Sequence, residues 1–272
     1  MSTMPLQTVN LLEAGVASLP FTEQVQIMIN WAKEPTSRFV CVANTHMLVE
    51  AHQNPQFKGL LHCADLITPD GMPLVWMMRL LGVQSPERVA GMDILMSICQ
   101  TASRENVSVY FLGSQSEILA LMKQRLTQEF PNLQIAGMQP LPFHPLSTSE
   151  NEQVLNQIKE SGASIVFVSL GCPKQEQWMA RQRGKLPVVM IGLGGVFPIY
   201  AGIHKRAPRW LRDLGLEWFY RLHQEPRRLW RRYGTTIPMF IFLAIRQLLQ
   251  AQTNTDEQST LAELKCAKDR AH

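Results

Sequence analysis

The chain has 272 residues, 46% of them hydrophobic, with 26 Lys/Arg against 22 Asp/Glu for a net charge of +4. That is enough apolar material for one large core or two small ones, and it excludes disordered, fibrous and low-complexity classes. Five cysteines, Cys41, Cys63, Cys99, Cys172 and Cys266, are odd in number, widely spaced and free of CxxC or Cys/His clustering, which argues against a disulfide framework or a zinc site and suits a reducing cytosol.

The N-terminus shows no basic stretch followed by an apolar one and a small-residue cleavage site, so no signal peptide is expected. Apolar runs predict buried strands over 38–44, 107–113, 133–137, 164–171 and 188–192. Helical patterns fall between them, over 22–33, 72–81, 93–104, 116–130, 149–160 and 175–183. Thr22 and Ser116 read as N-caps, with Pro131 and Gly162 as stops. This alternation predicts an α/β fold, a Rossmann-like and mostly parallel sheet flanked by helices, with ligands at the carboxyl ends of the strands. Residues 140–145 read as an irregular loop. The division expected is a catalytic body over 1–200, a basic helical appendage over 201–252 and a polar tail over 253–272.

Four clusters fall at predicted strand ends or helix starts. Asn44-Thr45-His46 follows the first strong strand. Pro69-Asp70-Gly71 makes a tight turn before a helix, which would aim the Asp70 carboxylate into the crevice as a candidate general base. Arg88-Val89-Ala90-Gly91-Met92-Asp93 offers a guanidinium and backbone donors around a helix start, with Asp93 as the expected N-cap. The fourth joins Gly171-Cys172-Pro173-Lys174-Gln175-Glu176 to Gly192-Leu193-Gly194-Gly195, glycine turns that let a ligand approach the backbone. The second turn lacks the last glycine of GxGxxG, and no early fingerprint with an acid about 20 residues on is present, so a dinucleotide-dependent oxidoreductase is disfavoured.

Beyond these lies a segment rich in arginine and aromatic residues. Lys205 to Arg232 holds nine Lys/Arg against three acids, a net +6, interleaved with Trp210, Trp218, Phe219, Tyr220 and Trp230; the rest of the chain is slightly acidic. Arginine forks suit phosphate and tryptophan suits a bilayer interface, so the segment points to an anionic partner at a membrane surface. Charge this local argues against nucleic acid. A peripheral adaptor binding anionic lipid would explain the segment but leave the Asp70 turn and the Arg88 cluster without purpose. The apolar run 237–245 is about half of the roughly 20 residues a spanning helix needs.

Taken in order, Pro69-Asp70-Gly71 with Trp76, Arg88 to Asp93, Phe111-Leu112-Gly113, Gly171 to Glu176, Gly192 to Gly195, Arg206-Ala207-Pro208-Arg209-Trp210, Gly215-Leu216-Glu217-Trp218, Arg221 and Glu225 to Tyr233 resemble the WecG/TagA/CpsF glycosyltransferases, family 26, over roughly residues 20 to 235. The resemblance implies an inverting hexosyl transfer from a UDP-sugar to a polyprenyl-pyrophosphate-linked saccharide in surface-polysaccharide or cell-wall assembly. It implies Asp70 as the base, with Asn44 and Thr45 positioning sugar or acceptor. Arg88 and the appendage arginines Arg206, Arg209, Arg221, Arg227, Arg228 and Arg231 would meet the charge of the departing UDP. Gln175, with Gly71, Gly91, Asp93, Gly113, Glu176, Gly192, Gly194 and Gly195, would line the substrate pocket. It also implies no metal and no other cofactor, peripheral association with the inner face of the plasma membrane through the appendage, and self-association. The pattern departs at Val42, where many relatives carry threonine, and at His46. The donor sugar therefore stays open between N-acetylmannosamine, its uronic acid and glucose-like sugars.

Overall fold

A computed structural model describes residues 6–269 apart from residue 143, with side chains as far as residue 253. Six strands, β3 (Arg38–Ala43), β4 (Leu66–Pro69), β5 (Val109–Gly113), β6 (Ile135–Gln139), β7 (Ile165–Ser169) and β8 (Val189–Gly192), form one parallel sheet in the order β4-β3-β8-β7-β5-β6. The period-2 alternation of each strand divides the core in two. Phe39, Cys41 and Ala43 point into one layer with Val166 and Val168, while Val40 and Val42 point into the other with Ile165 and Phe167.

The first layer is completed by α2 (Thr45–Gln53), α3 (Pro55–His62), α4 (Met72–Leu80), α7 (Thr148–Glu160) and α8 (Lys174–Gln182), and the second by α1 (Phe21–Ala32), α5 (Gly91–Glu105), α6 (Ser116–Glu129) and α9 (Val196–Tyr200). The five expected strands and six expected helices are all present, with shifted ends. Thr22, Ser116 and Asp93 are not caps. The caps are Pro20, Gln115 and Ala90, and the three polar residues lie within the first turn, where Asp93 serves an ion pair instead.

A hairpin, β1 (Thr8–Leu11) and β2 (Ala14–Ala17), precedes the sheet unannounced by the sequence. Its turn is Leu12-Glu13, both at positive φ (47° and 71°), so the glycine or asparagine that signals such turns is missing. Also unexpected were β4, only four residues long and ending in proline, and the helices α2 and α3. The latter pair is started by Asn44 and Asn54, whose side chains accept backbone amides.

Beyond Tyr200 the chain forms α10 (Arg209–Asp213), α11 (Glu217–Gln224) and α12 (Pro226–Asp269). Side chains of the expected polar tail beyond residue 253 lie outside the described residues. α12 packs along α2 and the hairpin: Phe240 and Leu243 join the first core layer, and Gln247 bonds Leu12 N (2.8 Å) and Asn10 O (2.7 Å). Its opposite face carries exposed Ile241, Phe242, Ile245 and Leu249. Among the described residues no helix is long and apolar enough to cross a membrane.

Candidate active site

The turn after β4 is built to present a carboxylate. Gly71 has φ of 102°, a region closed to residues with a side chain, so the chain reverses between β4 and α4 and leaves Asp70 at the carboxyl edge of the sheet. Asp70 N donates to Ala43 O (2.7 Å) and Val89 N to Pro69 O (2.8 Å). The same turn is thereby tied to the end of β3, where Asn44 begins α2, and to the segment that carries Arg88.

Around Asp70 charged side chains converge from distant parts of the chain. Arg88 donates to Asp93 (3.4 Å) and to Glu217 of α11 (3.5 Å), and Asp93 also accepts from Arg206 (2.5 Å). Burial pushes the Asp70 carboxyl up to about 7; the Glu217 carboxylate adds to the rise, Arg88 and Arg221 oppose it, and Asp93 adds again. A carboxylate poised near neutrality, partly buried beside two guanidinium groups, has the properties of a general base.

The glycine turns lie at the neighbouring strand ends. Gln175 accepts from Gly171 N (3.2 Å), donates to Glu176 (2.7 Å) and lies against Gly192 and Gly194, whose absent Cβ atoms would fall 2.8 and 3.1 Å from its amide. At 4% exposure Gln175 underpins the turns rather than facing the crevice. Arg221 rests on the next glycine: a Cβ at Gly195 would lie 2.7 Å from its Nη2. Gly113, with φ of 94°, ends β5 against Ser169 O, and buried Gly91 packs on Val196.

Connections leave β5 and β7, adjacent strands, in opposite directions, and a crevice opens at such a switch point. A cavity of about 720 Å³ opens there, bounded by Ser114 and Ser169, by residues 141–142 and 144–147, and by α7 and α8. Lys174, Arg181 and Lys185 line it with no carboxylate partner among the described residues. Burial pushes the nearby Cys172 thiol up, which leaves it inert as a nucleophile.

The appendage closes over the Asp70 turn from the far side. A Cβ on Gly215 would lie 2.6 Å from the Trp76 ring and 3.2 Å from Met72, and φ there is 69°. Gly215→Ala should therefore cost roughly 1–3 kcal/mol and lower transfer by lifting α11 with Glu217 and Arg221. Thermal melting and initial rates check this, and adding Trp76→Ala should recover part of the loss in a double-mutant cycle. Additive losses would place the strain elsewhere. On α12, Thr236 meets His46 (3.4 Å), whose pKa burial and Arg232 depress to about 4, so this ring is neutral at physiological pH.

Of the residues singled out in the sequence, Asp70, Arg88, Asp93, Arg206 and Arg221 come together. Thr45 opens α2 beside Asn44, whose side-chain Oδ1 accepts from Met47 N (3.1 Å). Arg209, Arg227 and Arg231 are exposed on the appendage, and Arg228 pairs with Glu225. Two residues assigned no site role from the sequence belong to the cluster. Glu217 binds Arg88, and Arg212 lies near Arg206 and Arg88, its pKa lowered by burial and by those two cations. Both flank Gly215, and that glycine was the available signal.

An α/β enzyme with a tuned carboxylate at a strand end and a basic appendage over it has the architecture of a transferase acting on a phosphorylated substrate. The sequence model of the Glycosyl transferase WecG/TagA/CpsF family matches residues 9–254, and the chain belongs to that family of glycosyltransferases. It is 31% identical over 247 residues, 90% of this chain and 92% of the relative, to an N-acetylglucosaminyldiphosphoundecaprenol N-acetyl-beta-D-mannosaminyltransferase of Bacillus spizizenii. A relative of the same name from Bacillus subtilis is 30% identical over 76% of this chain and 79% of its own length.

Proposed function

We propose that the protein moves one sugar from a UDP-sugar to a polyprenyl-diphosphate-linked saccharide, with inversion at the anomeric carbon. The observation that carries this is Asp70, presented at the carboxyl edge of the sheet by the Gly71 turn, its pKa raised by burial to about 7 against the opposing charge of Arg88 and Arg221. Ionised Asp70 takes the proton from the acceptor hydroxyl as that oxygen attacks the anomeric carbon. The bond to the diphosphate breaks in the same step, and the charge left on UDP is met by Arg221, Arg88 and backbone N–H groups of the glycine turns.

The cavity between β5 and β7 suits the nucleotide. It lies between three and four strand spacings from β4, about 14–19 Å along the carboxyl edge of the sheet, on the far side of the glycine turns from Asp70. The names of the Bacillus relatives put N-acetylmannosamine first among the donor sugars, ahead of its uronic acid and glucose-like sugars, and make an N-acetylglucosaminyl diphosphate lipid the first acceptor to try. Exposed Trp210, Phe219, Trp230 and the apolar outer face of α12, with Arg227 and Arg231 on its first turns, support docking on an anionic bilayer, the inner face of the plasma membrane.

The reading is tested with a panel of UDP-sugars and a short-chain prenyl-diphosphate N-acetylglucosamine acceptor, product mass being recorded in EDTA and in magnesium. One donor should add one sugar to the acceptor, equally in both. No product from any donor, or transfer abolished by EDTA, would count against it.

A further inference from the structure

Glu176 is fully buried at the start of α8; the Cys172 thiol and its own backbone N–H approach the carboxyl, yet Oε2 makes no hydrogen bond of normal geometry among the described residues. A buried acid with incomplete hydrogen bonding costs stability relative to an apolar residue of the same volume. Its other oxygen accepts Gln175 Nε2 at 2.7 Å, and that bond orients the Gln175 amide: Nε2 is turned to Glu176, so Oε1 is left to accept Gly171 N. The oriented amide fills the space under Gly192 and Gly194, where no side chain fits. Two backbone turns, one after β7 and one after β8, are thus held at a set spacing by a single relay that ends on a buried carboxyl.

We infer that Glu176 is a positioning residue, which acts through Gln175 to hold the Gly171 and Gly192–Gly194 turns in register for the diphosphate of the donor. The inference rests on the proposed donor for its ligand, because those turns lie between the β5–β7 cavity and Asp70. The local claim, that Glu176 orders the turns, stands without it.

Two variants separate orientation from packing. Glu176→Gln keeps an oxygen able to accept from Gln175, whereas Glu176→Met keeps the volume and removes the acceptor. In Glu176→Met, amide hydrogen exchange at Gly171 and at Gly192–Gly195 should quicken about tenfold or more while the core strands keep their protection. The UDP dissociation constant and the donor KM should rise by a similar factor, the acceptor KM staying within about twofold. Glu176→Gln should restore all of these, and Glu176→Met should melt no lower than the parent.

Wild-type exchange at those glycines in a folded Glu176→Met protein would overturn the inference whatever the ligand. Faster exchange with unchanged UDP affinity would keep the order of the turns and remove the donor from it, a failure of the ligand assignment alone. Equal losses in both variants together with lowered melting temperatures would reduce Glu176 to a structural role and overturn the inference.

Discussion

Asparagine in place of Asp70 is expected to lower turnover about 10³-fold, within the range that loss of a general base produces, while leaving the fold intact. The side chains are nearly isosteric, and the turn is held by backbone bonds, Asp70 N to Ala43 O and Val89 N to Pro69 O, which the substitution does not touch. Steady-state rates at saturating donor and acceptor, with thermal melting and vesicle co-sedimentation as controls, check this. The pH dependence follows from the sign of the shift. The base works ionised and burial holds its pKa up to about 7, so activity should fall as pH drops through that value and level off above it. The residual rate of Asp70→Asn should show no such limb. A variant that melts and binds vesicles like the parent and still turns over at its rate would remove Asp70 from the chemistry.

Arg88 and Glu217 should move that limb in opposite directions. Arg88 favours the ionised form of Asp70 and Glu217 disfavours it, and the two side chains bind one another. Arg88→Met leaves Glu217 and Asp93 without this counter-charge beside Asp70. The limb should shift to higher pH, and activity at neutral pH should drop by about 100-fold or more, since a cation facing the leaving group is lost as well. Glu217→Gln should shift the limb to lower pH and cost much less at neutral pH. Rate profiles against pH for the two variants check both signs. A shift in the same direction, or none, would mean that the titrating group is not Asp70.

Most of the sheet was legible because parallel strands buried on both faces read as unbroken apolar runs, and 164–171 and 188–192 are of that kind. β4 escaped because four residues ending in proline read as part of a turn, although that turn holds the base. The first hairpin escaped because Leu12 and Glu13 adopt positive φ without glycine. At the candidate site, Asp70 and Arg88 were legible from short motifs, since each sits at an element end where its neighbours dictate the turn. Glu217 was not, because its place in the cluster depends on α11 folding back over the Asp70 turn, 129 residues away from its partner Arg88. Gln175 shows the converse: the motif marked it for the substrate pocket, but packing shows it buried beneath the turns, accepting from Gly171 N and resting against Gly192 and Gly194.

The most direct test of the central claim is the configuration of the bond that is made. The product formed from a UDP-sugar of known anomeric configuration is isolated, and the new linkage is read by NMR from its anomeric coupling. A single displacement assisted by Asp70 as base predicts a linkage of the opposite configuration to the donor's. Retention would contradict it, because a single in-line displacement with Asp70 as base cannot retain the configuration.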